Sequence, residues 1–138
     1  MGICLLTCFL QNCEDKITRT YRLENGTEGE IKMEFYEYGI FRHTRHIIGE
    51  GLIFEGSADN DAGKGIAARG AVNADSVIVI FDNAKIMTYT NISQETRVNR
   101  EPSNRNFLLN DAYEIMSNEL YRFVFTEEDY KNAADIEG

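Results

Sequence analysis

The sequence predicts an all-β fold, mainly antiparallel: a single-domain β-sandwich or open barrel of about seven strands with a short C-terminal helix. Three observations carry this. Apolar and polar residues alternate in several short runs. Glycines and turn dipeptides separate those runs. The longest apolar run of the body, Ser76 to Phe81, consists mostly of β-branched residues.

Taken in order, Ile17, Arg19, Tyr21 and Leu23 share one face of a period-two segment, with Thr18, Thr20 and Arg22 on the other. Asn25-Gly26 follows, a turn dipeptide that tolerates positive φ. Ile31, Met33 and Phe35 then alternate with Lys32, Glu34 and Tyr36, so residues 17 to 36 read as a β-hairpin. Gly39 marks a second turn, Ile40 to Ile48 another strand, and Gly49 and Gly51 a kink before the short apolar run Leu52 to Glu55. Residues 56–70, "GSADNDAGKGIAARG", read as a long exposed loop. Ser76 to Phe81 looks like a strand buried on both faces. Asp82-Asn83 turns it into a partner strand, Lys85 to Thr90. Residues 93–106 are polar, hold the sole proline, Pro102, and form a second long loop. Tyr121, Phe123 and Phe125 mark the last strand. Thr126 then caps a short helix over about residues 127–134, with three carboxylates at its positive end.

A chain of 138 residues suffices for one domain with one core, and eight Phe and seven Tyr supply large apolar area. Its net charge of −9 repels phosphate backbones, which argues against a nucleic-acid partner. No apolar run approaches the roughly 18 to 20 residues of a membrane-spanning helix.

The opening segment sets the expected compartment. Cys4, Cys8 and Cys13 are the only cysteines. Their clustering and odd number suit neither a disulfide scaffold nor a zinc site. Gly2 to Leu10 has the length of a signal-peptide apolar region, and Glu14-Asp15-Lys16 follow Cys13 abruptly. No basic residue precedes the run, so this reading needs a start upstream of Met1 or a trimmed segment. Residues 1–13 thus read as the remnant of a lipoprotein signal segment and 14–138 as one β-rich domain. Leu10-Gln11-Asn12-Cys13 resembles a loose bacterial lipobox, which implies lipidation at Cys13.

"YRLENGTEGEIKMEFYEYG", "DSVIVIFDNAKIMTY" and "YRFVFTEEDYKNA" together resemble segments of a group of small uncharacterised lipoproteins of Gram-negative gut anaerobes. The resemblance covers most of the chain outside residues 56–70. It implies a lipid-anchored, outer-membrane address, periplasmic or surface-facing, and a β-rich fold. It brings no activity. Glu14 and Asp15 resemble the acidic export tags of such proteins.

Candidate chemistry is sparse. Arg42, His43, Arg45 and His46 form a cationic cluster on one predicted strand, suited to an anionic ligand. The i, i+3 spacing of the two histidines puts them on opposite strand faces, which disfavours a shared metal. Arg97, Arg100 and Arg105 would join that cluster if the second loop folds beside it. Asp59 and Asp61 have a calcium-loop look, but position 12 of such a loop is Gly70, so only a looser site remains. Gly63-Lys64-Gly65 fails the phosphate-loop pattern on both sides of the lysine, and Ser57 lacks the closing glycine of a nucleophile elbow. Asp75-Ser76-Val77 matches a short acceptor for O-glycosylation at Ser76 in the organisms of the resembled group.

The expected function is therefore that of a lipid-anchored, non-enzymatic binding module without a cofactor. It would meet a glycan or another envelope protein through loops 56–70 and 93–106. The alternatives are a small carboxylate-based hydrolase and an assembly module that pairs through an edge strand.

Overall fold

A computed structural model describes residues 17–58, 66–90 and 105–136. They build two stacked sheets, not a closed barrel. The first half supplies β1 (Ile17–Asn25), β2 (Ile31–Glu37), β3 (Ile40–Ile47), β4 (Leu52–Ala58) and a helical turn, α1 (Ala68–Val72). The second half supplies β5 (Ser76–Phe81), β6 (Lys85–Thr90), a 3-10 turn (Asn110–Ala112), β7 (Glu114–Ser117), β8 (Leu120–Phe125), α2 (Glu127–Asn132) and β9 (Ala134–Asp135). One sheet runs β4-β1-β8-β7 and the other β3-β2-β5-β6-β9. All pairings are antiparallel except β1 with β8, which is parallel. The all-β sandwich with a short C-terminal helix is thus as expected. The described residues form nine strands, more than the sequence suggested, because β7 and the two-residue β9 are short and exposed.

The core lies between the sheets. Tyr21 and Leu23 of β1 and Phe123 and Phe125 of β8 face Ile31, Met33 and Phe35 of β2 and Val77, Val79 and Phe81 of β5. Phe107 and Leu108 fill the space beside them. Each such side chain contributes about 1.5–3 kcal/mol on burial, so these alternating faces dictate which side of each strand turns inward.

Three expectations change. Residues 17–36 are not a hairpin: β1 pairs with β4 and β8, whereas β2 pairs with β3 and β5. The Asn25 side chain organises a sheet-to-sheet crossover. Its Oδ1 accepts from the Thr27 amide at 2.8 Å, and its Nδ2 donates to the Gly29 carbonyl at 2.8 Å. Both strands still bury one face, so their alternation is the same in either arrangement. The strand β5 is buried on one face only. Ile78 and Ile80 are half-buried on the outer face, in register with Glu34 and Lys32 of β2. Segment 56–70 is not all loop. Gly56, Ser57 and Ala58 complete β4 in register with Arg19, Thr18 and Ile17, and Ala68 opens α1. A Cβ on Gly56 would sit 3.0 Å from the Ile66 side chain and 3.3 Å from that of Ala71, so this glycine admits the α1 region against β4.

At the C-terminus the expected cap is present. Thr126 Oγ1 accepts from the Asp129 amide at 3.3 Å, and Asp129 Oδ2 accepts from the Thr126 amide at 2.8 Å.

Candidate functional site

The short connections 26–30 and 48–51 bring the ends of β1, β2, β3 and β4 together at one end of the sandwich. At that end the chain leaves a cleft of about 790 Å³. Its apolar floor comes from buried Ile31 and Ile47, and Ile48, 75% exposed, extends it outward. Glu28, Glu30, Asp82 and His46 supply its polar lining. A smaller depression of about 190 Å³ continues past Thr27 and Asp82 to Glu127 and Tyr130.

Local chemistry fixes this lining. The Asp82 amide donates to the Glu30 carbonyl at 2.7 Å, and Asp82 and Asn83 both adopt positive φ, 55° and 52°. Asp and Asn tolerate that conformation better than other non-glycine residues. The side chain of Asp82 lies where a Cβ on Gly29 would be, 2.7 Å from its Cγ, so only glycine fits opposite it. Glu127 of α2 reaches back and accepts from the Glu28 amide at 2.8 Å. The loop from Asn25 to Ile31 is therefore held by β8, α2 and the β5–β6 turn together, because the Gly26 amide also donates to the Phe125 carbonyl at 2.7 Å. Such a bowl, greasy at its base and carboxylate-lined above, suits a ligand with apolar bulk and positive charge.

The described residues singled out from the sequence do not form one cluster. Cys13, Asp59, Asp61, Arg97 and Arg100 lie outside the described residues. The strand β3 carries Arg42, His43, Arg45 and His46, but not as one patch. His43 is in register with Phe35 and stacks on its ring at 4.6 Å, so it turns to the inner side of the sheet. Burial, then Arg45 and Arg42, push its imidazole below the usual histidine range. His46 is in register with Lys32, on the opposite face, and lines the cleft. Arg42 falls where the register slips between Phe35 and Tyr36 and has no partner across the ladder. Arg105 is no anion site. Its guanidinium bonds Asp129 and the Val124 carbonyl and lies 4.3 Å from the Phe123 ring centroid. Ser76 is half-buried at the start of β5. Asp75 beside it is buried, and its Oδ2 accepts from the Tyr38 amide at 3.0 Å.

Sequence reasoning missed the cleft and a half-buried polar cluster at Asn110. Asn110 Oδ1 accepts from the Tyr21 hydroxyl at 3.0 Å and the Ala68 amide at 2.8 Å, while its Nδ2 donates to the Ile66 carbonyl at 3.2 Å. Arg19 is buried beside Tyr121 and donates to the Asn118 carbonyl at 2.9 Å. These ties span up to 99 residues of sequence and leave no local signal. No group of three metal-ligating side chains is gathered among the described residues.

Compared with known proteins, the chain matches no family model, and no curated protein or solved structure is significantly similar to it.

Proposed function

We propose that this domain is a non-enzymatic binding module, tethered to a membrane of the cell envelope through Cys13, that takes a basic, partly apolar peptide segment in its end cleft. One observation carries the reading. The cleft lies at the Asn25 end of β1, while the chain that bears Cys13 joins the fold at Ile17, the other end. The nine residues of β1 span roughly 30 Å at about 3.3 Å each. A tether at Cys13 would thus hold one end of the sandwich near the bilayer and turn the cleft outward. This reading puts the binding surface at the other end from the two loops expected from the sequence, since Ala58 and Thr90, where those segments leave the strands, lie at the Ile17 end. Glu28, Glu30 and Asp82 favour a cationic group, and Ile31, Ile47 and Ile48 an apolar one.

The test is a peptide library of mixed charge and hydropathy probed with the purified chain. Peptides pairing Lys or Arg with aliphatic residues should be enriched over their acidic counterparts. Asp82→Asn and Ile48→Asp should each weaken their capture about tenfold, the scale of one lost charged or apolar contact. Equal capture of acidic and basic peptides would refute the cleft's role. Mass spectrometry of the native protein tests the tether separately: a diacylglyceryl mass on Cys13 supports it, and an unmodified thiol overturns it.

A further inference from the structure

The end of the sandwich opposite the cleft carries exposed apolar side chains. The β2–β3 hairpin turns there through Tyr38 and Gly39, both at positive φ, 52° and 79°. Tyr38 is 80% exposed, Ile40 65% and Phe41 52%. The tip is firmly held beneath. Asp75 Oδ2 accepts from the Tyr38 amide at 3.0 Å, the Asp75 amide donates to the Tyr36 carbonyl at 3.1 Å, and Phe41 packs edge-on against Tyr36 at 5.7 Å. Three large apolar side chains are thus displayed on a pinned turn, which is costly in water unless something covers them.

The place of this tip in the fold indicates the cover. Because connections 26–30 and 48–51 join the strands at the cleft end, the Tyr38–Gly39 turn shares the other end with Ile17 and Ala58. Only three residues separate Cys13 from Ile17. Even fully extended, that link reaches about 14 Å, at roughly 3.5 Å per residue step. Arg42, just behind the tip on β3, makes no ion pair with any described residue, although the chain as a whole is acidic. Aromatic and aliphatic side chains backed by a guanidinium group suit a lipid interface, where rings settle at headgroup depth and Arg pairs with phosphate.

We infer that the Tyr38–Phe41 hairpin tip is a second, non-covalent membrane contact, one that dips into the headgroup region and sets the domain upright. Its orientation rests on the tether reading above. The contact itself requires no acyl chain.

The chain has no Trp, so a single Tyr38→Trp replacement reports on the tip alone. In a Cys13→Ser background, this variant is mixed with phosphatidylcholine vesicles bearing brominated acyl chains. The tip indole should shift to the blue and be quenched, at low salt and at 1 M salt alike, because apolar insertion is not screened. An Ile48→Trp reporter at the cleft end should be unaffected by the same vesicles. Adding Ile40→Ser and Phe41→Ser to the tip reporter should lower partition at least about tenfold. An unquenched Tyr38→Trp, equal quenching of Ile48→Trp, or a blue shift that grows with protein concentration without vesicles would each overturn the inference. The last outcome would assign the tip to self-association. Since the vesicle measurement omits the acyl chain and the native mass of Cys13 omits vesicles, the two readings can fail separately.

Discussion

Arg105 grips Asp129, the residue that closes the cap of α2. Its Nε donates to Asp129 Oδ1 at 3.2 Å and its Nη2 bonds Oδ2, the oxygen that also accepts the Thr126 amide. One carboxylate, 9% exposed at its side chain, thus ties the last helix to the segment that returns after residue 104. Asp129→Ala should cost about 3 kcal/mol, since it removes a cap and leaves a partly buried guanidinium unpaired. Arg105→Ala should cost less, because Asp129 keeps its Thr126 partners. A urea-denaturation cycle on the pair should show coupling of about 1–3 kcal/mol, and strict additivity would mean the clamp is idle.

The crossover at Asn25 makes a second prediction. A Cβ on Gly26 would lie 2.7 Å from the Phe125 carbonyl oxygen and 2.8 Å from Val124 Cγ1. Backbone cannot yield as a side-chain tip can, so Gly26→Ala should cost about 1–3 kcal/mol. Gly39→Ala meets nothing within 4 Å but must hold φ at 79°, a cost of about 1–2 kcal/mol. Both are compared with the parent chain by thermal unfolding. The Gly26 variant should also weaken the cleft, whereas the Gly39 variant should leave it unchanged.

The hydroxyl of Tyr113 is buried without a hydrogen-bond partner among the described residues, and burial holds its phenol well above the usual tyrosine range. Tyr113→Phe should therefore be neutral or stabilise the fold by up to about 2 kcal/mol, since it removes a desolvated polar atom. Tyr21→Phe does the reverse. It deletes the bond to Asn110 and should cost about 1 kcal/mol. If both replacements destabilise equally in chemical denaturation, the two hydroxyls have equivalent surroundings and this account is wrong.

For His43 the sign follows from its lowered pKa. The folded state binds the proton less readily than the unfolded chain, whose histidine titrates near 6.5. Its contribution is complete above that pH and is lost as the pH falls below it towards the folded value. An NMR titration should place the His43 midpoint under 6.5. Arg45→Gln should move it up only in part, because burial is the larger cause. His43→Gln should flatten the corresponding stretch of the stability–pH curve relative to the parent, and an unchanged slope there would contradict the assignment.

Much of the fold is legible in short runs because the β period is local. Ile31, Met33 and Phe35 alternate in the sequence and line the core as their spacing demands. The Thr126 cap is equally local. The crossover was hidden because a strand with one buried face reads the same whether its neighbour lies beside it or across the core. Ser76 to Phe81 looked buried on both faces because Ile78 and Ile80 are β-branched in either setting. The cleft was illegible for another reason. Glu30, Ile47 and Asp82 come from three separate turns and strand ends, and only the sheet topology brings them together. In the sequence, His46 reads as one of a cationic cluster with His43, which the pleat divides.

The parallel β1–β8 ladder has a consequence for how the molecule comes into being. Thr20 pairs with Leu120 and Asn25 with Phe125, so the middle of one sheet is a seam between two stretches a hundred residues apart. Closing it demands a loop of about a hundred residues, and such distant pairings are slow to form. During vectorial synthesis, β1 waits with one flank bare until β8 has emerged. This architecture therefore postpones its own completion, and any truncation that removes β8 should yield an open, adhesive half rather than a smaller native domain.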